Sequence, residues 1–266
     1  MRQNENGLWV IDEESIAEAR DLALENGGGV VGCLPRKTQM GELQWEHAGK
    51  LCCAPMAAEY LTIPPESEWT KIVDDMAGRW PADIADTHGL PDMDQGSNPL
   101  CWLFSLADTM RTERVCEGLP YIELAPESGI GASNGRNTGW YCDSALAYVA
   151  RHGLSAREYV PRDYDLKSKN WKEGWDVNAK LHVPLEVWDG GAKSMTGELL
   201  AAMQLRKSAY AWADQWSHAF KLDKYVREGN KIYPSGPNSW GPNQRFILKM
   251  RVSGFFVVRS MTSSLK

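Results

Sequence analysis

The stretch Asp94-Gln95-Gly96-Ser97-Asn98-Pro99-Leu100-Cys101-Trp102-Leu103-Phe104-Ser105 constrains this 266-residue chain more than any other. A turn-forming Gly-Ser-Asn-Pro run passes directly into an apolar run. A helix is therefore expected to start there, with Ser97 or Asn98 as cap and Pro99 in the first turn. Cys101 falls in that first turn, where unpaired backbone N–H groups and the positive end of the helix dipole favour a thiolate. Gln95, six residues upstream, can aim its side-chain amide at the charge that grows on an attacked carbonyl oxygen, with the Cys101 N–H as a second donor. A cysteine taken alone in such a helix reads as a core residue. Residues far downstream change that reading.

A nucleophilic cysteine needs a base to take its proton and a third group to orient the base. Ser217-His218-Ala219-Phe220 brings a histidine into a strand-like run, and Asn238-Ser239-Trp240-Gly241 follows a Gly229-Asn230 turn. In this order the chain resembles the papain family of cysteine peptidases: Gln-Gly-Ser-x-x-x-Cys-Trp-x-Phe-Ser, a glycine-bearing loop before a helix, x-His-Ala, then Asn-Ser-Trp-Gly. The histidine comes slightly early against the family's usual interval of about 130–150 residues after the cysteine. The resemblance implies Cys101 as nucleophile, His218 as general acid/base, Asn238 as the group that holds the imidazole, and Gln95 as oxyanion-hole donor. Trp240 would cover the Asn–His hydrogen bond. Gly139, Trp140 and Tyr141, with Ser217, would line the cleft that takes a polypeptide substrate.

The departures from the family are equally specific. Asn98 stands where the resemblance implies a disulfide cysteine, and its usual partner falls approximately at Arg136, so that crosslink is absent. The strand leading to Asn238 is expected to be broken by Pro234, Gly236 and Pro237.

The resemblance and the element pattern together imply an α+β fold of two lobes: a helical lobe over 80–176, a β-rich lobe (antiparallel sheet or barrel) over 177–266, and an N-terminal extension over 1–79. Helices are expected over 13–26, 66–77, 99–116, 142–152 and 194–205. Strands are expected over 179–187, 208–212, 218–226, 231–233, 246–252 and 255–258. The extension reads as a docking, oligomerisation or pro-segment-like element, and a homo-oligomer or larger assembly would form through it.

Net charge of −6, with no basic aromatic-laced cluster, argues against a nucleic-acid partner. No stretch has the length and apolarity of a membrane span. Gly27-Gly28-Gly29 is not followed by the Lys-Ser/Thr of a phosphate loop. Cys33, His47, Cys52 and Cys53 lack zinc-ligand spacing, so neither metal nor cofactor is expected. The N-terminus shows no signal-peptide pattern, and the six cysteines show no disulfide framework, which suits a reducing, cytoplasmic setting or a virion assembled inside a host cell. The expected activity is thiol endopeptidase. The alternative is a papain-fold structural or interaction protein, such as a bacteriophage virion component, with little or no protease activity.

Overall fold

Fifteen of the sixteen residues of the helix Cys101–Cys116 are buried, including Asp108, Arg111, Glu113 and Arg114, in the computed structural model of the chain. From the sequence, Trp102, Leu103, Phe104 and Leu106 supply one apolar face. A helix buried on all sides must instead pair its charges internally. Arg111 binds Asp108 (2.7 Å), and Lys221 from across the lobe boundary binds Asp108 (3.1 Å) and Asp223 (3.2 Å). Arg245 closes the network with two hydrogen bonds to Asp223 (2.7 and 2.9 Å). The structure describes residues 2–18, 21, 32–37, 46–47, 50–51, 53–55, 61–161, 166–191, 196–241 and 244–261. Half of the helix expected over 13–26, residues 19, 20 and 22–26, lies outside these.

The described strands are β1 (Trp9–Ile11), β2 (Cys33–Leu34), β3 (Glu46–His47), β4 (Lys50–Leu51), β5 (Cys53–Pro55), β6 (Trp140–Tyr141), β7 (Pro184–Gly191), β8 (Ala209–Ala213), β9 (His218–Leu222), β10 (Lys224–Glu228), β11 (Lys231–Pro237), β12 (Arg245–Leu248) and β13 (Gly254–Met261). They form a four-stranded sheet, β1-β12-β11-β10, and a five-stranded sheet, β5-β7-β13-β8-β9, with two small pairs, β2-β6 and β3-β4. The two large sheets are antiparallel except at their edges, where β1 and β5 pair in parallel. Both edge strands come from the N-terminal 79 residues.

The helical lobe carries the long helix, a 3-10 stretch Pro126–Ser133 and the helix Cys142–His152. Its core joins Trp102, Leu103, Leu146 and Val149 to Tyr210 and Phe256 of the sheet. A second core, around Leu199, Leu200, Phe220, Phe246 and Phe255, fills the β-rich lobe and takes in Ile11, Leu61 and Val73 from the N-terminal region. Cys101 belongs to the first core and Phe220 to the second, so strand β9 runs along the boundary between them.

Several local expectations need correction. Leu100 occupies the cap position of the long helix without a side-chain hydrogen bond, and neither Ser97 nor Asn98 caps it. Asn98 turns its amide to Gln95 O (3.3 Å), and its Oδ1 accepts from Asn137 Nδ2 (2.7 Å). Residues 175–179 form a short helix, and the strand expected over 179–187 begins only at Pro184. The run expected over 218–226 divides at Asp223 into β9 and β10, which belong to different sheets. The expected helix over 66–77 is a 3-10 turn, Glu66–Glu68, followed by the helix Trp69–Asp75.

Strand β11, expected to break at its prolines, runs unbroken from Lys231 to Pro237. Pairing with β12 begins only at Ser235, so Pro234 faces β10 alone and its missing N–H leaves no two-sided ladder incomplete. Gly236 sits where a Cβ would stand 1.8 Å from the carbonyl oxygen of Lys221. Glycine there lets β11 cross close to β9.

Candidate active site

Crossing β11 over β9 brings Asn238, the first residue beyond β11, to His218, the first residue of β9. The ring Nε2 and Asn238 Oδ1 are 2.8 Å apart. Both side chains are buried, His218 at 4% and Asn238 at 6% relative exposure, so water does not compete for the bond. Trp216 and Trp240 wall the imidazole, their ring centroids 4.7 and 4.9 Å from it, and meet each other edge to face at 5.7 Å. Trp240 was read from the sequence. Trp216 was not, although its position two residues before the histidine offered a signal.

Cys101, the first residue of the long helix, points its sulfur at the start of β9. The N–H of Ala219, the residue after His218, donates to Cys101 Sγ at 3.4 Å. The backbone N–H groups of Cys101 and Trp102, at the start of the helix, also favour the anion. Ser105, one turn on, ties the helix to the same strand through a 2.7 Å hydrogen bond to Ala219 O. Cys101 and His218 are thus set on two rigid elements that are bonded to each other.

Gln95 is held on the Asn238 side. Its backbone N–H donates to Ser239 O (2.8 Å), its Oε1 accepts from the Ser239 hydroxyl, and its Nε2 donates to Asn98 O (2.8 Å). At the position where the resemblance implies a disulfide, the Asn98–Asn137 hydrogen bond joins the two loops; the partner is Asn137, one residue beyond Arg136. Cys33, Cys101, Cys116 and Cys142 are free thiols.

A segment of the N-terminal region lies across this arrangement. Gly32 and Cys33 donate their N–H groups to Ser217 O (3.2 and 3.0 Å), and Gly32 O accepts from Trp140 N (3.3 Å). Strand β2 then runs parallel to β6, with Cys33 opposite Trp140 and Leu34 opposite Tyr141. A Cβ on Gly32 would lie 2.6 Å from Cys101 Sγ, so the segment touches the sulfur and only glycine fits. Arg36 holds the far end with two bonds to the buried Asp189, at 2.7 and 2.5 Å. The Lys37 N–H binds Asp143 (3.0 Å), and its ammonium stands 3.8 Å from the Tyr141 ring centre. The residues expected to line a substrate groove, Trp140, Tyr141 and Ser217, are therefore partnered by the chain itself, with Gly139 directly ahead of β6.

Burial dominates the electrostatics of the site. Burial pushes the Cys101 thiol well above its ordinary range, against the opposing effect of the Ala219 N–H. Burial also lowers His218 to about 4, against the opposing effect of its bond to Asn238. Both shifts favour the neutral thiol and the neutral imidazole over an ion pair while the two groups stay buried.

No protein-family model matches the chain, and no curated protein matches it. Among solved structures it is similar to a clostridial cysteine protease, Cwp84, after propeptide cleavage, with TM-score 0.54, 17% identity, and 67% of this chain and 57% of that chain covered. It is also similar to digestive procathepsin L 3 of the Tenebrio molitor larval midgut, with TM-score 0.52 and 14% identity over 91% of this chain and 78% of that one. A third similar structure is proCathepsin B S9 from Trypanosoma congolense, with TM-score 0.53 and 9% identity over 95% and 99% of the two chains. The match spans less than two thirds of the Cwp84 chain. The chain has the α+β, two-lobed papain-like fold, with its β-rich lobe built from two sheets.

Proposed function

We propose that the chain is a thiol endopeptidase with Cys101 as nucleophile, held closed by residues 32–37. The observation that supports this reading is the bond to Cys101 Sγ from the N–H of Ala219, the residue next to His218, together with the Asn238-bonded, tryptophan-walled imidazole of His218 at the lobe boundary. An architectural role asks for none of that polar arrangement in a buried place.

Once the segment lifts, water returns and the thiol proton passes to His218, giving a thiolate and an imidazolium. The thiolate attacks a peptide carbonyl, and the oxyanion takes hydrogen bonds from the Cys101 N–H and the second amide hydrogen of Gln95, the first being engaged by Asn98. His218 protonates the leaving amine and then, as base, activates the water that hydrolyses the thioester. Asn238 keeps the ring oriented throughout. In the segment, Gly32 O is engaged by the Trp140 N–H. The bacteriophage kinship and the virion role rest on no feature of the fold or of its matches.

The test is hydrolysis of an unfolded polypeptide by the reduced protein, together with labelling by an epoxysuccinyl probe. Both are expected in the wild type and lost in Cys101→Ala. Cleavage that persists in the purified variant overturns the assignment.

A further inference from the structure

The sulfur atoms of Cys33 and Cys142 stand 2.9 Å apart, both buried, at 2% and 1% relative exposure. One belongs to the segment that covers Cys101; the other opens the helix Cys142–His152 of the helical lobe. A disulfide needs sulfurs about 2.05 Å apart, so closing the pair takes a movement of about 1 Å. The register already holds the two residues in place: Cys33 lies opposite Trp140, two residues before Cys142, while Arg36–Asp189 and Lys37–Asp143 fix the segment just beyond. Neither cysteine has a part in the peptidase mechanism.

We propose that Cys33 and Cys142 form a reversible disulfide that latches the covering segment onto the helical lobe, so that the site opens only after reduction. This rests on the peptidase reading of Cys101 for its consequence, though the crosslink itself does not. The oxidant is a small-molecule disulfide of the glutathione class. When the segment lifts, one cysteine thiolate attacks glutathione disulfide and expels one glutathione. The second cysteine thiolate displaces the other, and the two thiol protons end on the two glutathione molecules. The two protein sulfurs are oxidised by two electrons and glutathione disulfide is reduced by two. The crosslink converts lifting of the segment from a local opening into a tethered one, which re-forms at high effective concentration.

The full-length protein is equilibrated across glutathione disulfide to glutathione ratios, its thiols are blocked, and its unreduced peptides are weighed. The expected result is a Cys33–Cys142 linked peptide that disappears on reduction, with iodoacetamide labelling of Cys101 in the oxidised native protein slower by about tenfold or more. Cys33→Ser, on the covering segment, and Cys142→Ser, in the core, each abolish the linked peptide and the oxidised-to-reduced difference in labelling. Recovery of Cys33 unlinked to Cys142 at every ratio, or paired with Cys101, overturns the proposal. So does a linked wild type that labels as fast as the reduced form. A linked, slow-labelling wild type that hydrolyses no peptide when reduced supports the latch and removes only the peptidase reading.

Discussion

Gly32 closes on Cys101 so tightly that a single methyl group at its Cα would come within 2.6 Å of the sulfur. Gly32→Ala must displace either the segment or Cys101, and the segment, held over a few residues, moves more easily than a helix buried in the core. Overpacking of this kind costs about 1–3 kcal/mol, which raises the lifted population by roughly 5-fold to 160-fold. Iodoacetamide labelling of Cys101 in the reduced protein is expected to accelerate by that range. Unchanged labelling would mean the segment does not limit access.

Acid should loosen the closed form. His218 titrates at about 4 in place of 6.5, lowered by burial. Between these values the unfolded chain binds the proton and the folded one does not, so stability rises with pH there and is lost on acidification through that window. The loss amounts to about 3 kcal/mol at most, and buried His182, also lowered to about 4, adds to it in the same direction. Urea unfolding at a series of pH values should show a shallower acid slope for His218→Gln than for the wild type. Equal slopes would place the titration elsewhere.

Removing the imidazole's partner should affect turnover more than folding. Asn238→Ala leaves the ring between Trp216 and Trp240 but free to rotate, and a misplacement of this size costs on the order of a hundredfold in rate. Steady-state kinetics on a reduced, opened enzyme is expected to show that fall mainly in kcat. An unchanged kcat would deny Asn238 an orienting role.

The ion network beneath the site offers a test of stability independent of activity. Lys221 bridges Asp108 of the long helix and Asp223 at the turn between β9 and β10, and all three are buried. Lys221→Met leaves two carboxylates with only Arg111 and Arg245 to balance them, and breaking a buried pair in this way costs about 3–5 kcal/mol. Chemical denaturation measures it; a loss below about 1 kcal/mol would mean that the arginines suffice.

The Cys101 helix and the His218 strand were legible because local signals announced them: a turn passing into an apolar run, and a histidine entering a β-rich stretch. The unbroken β11 was not, because Pro234 and Gly236 weaken a strand by propensity while their tolerance depends on which neighbours pair on each side. The covering segment was illegible for a related reason. Residues 32–37 have no periodicity, and their hydrogen-bond partners, from Ser217 O to Asp189, lie more than a hundred residues away. The Asn98–Asn137 bond was equally hidden, since two asparagines carry no pairing signature in sequence.

The segment over Cys101 is clasped at both ends: β1 is an edge strand of one sheet, and β5 is an edge strand of the other. A protease that nicked the chain between them would therefore leave both pieces attached, each held by its own edge strand. The product would travel as two bands on a denaturing gel yet elute as one particle from a sizing column.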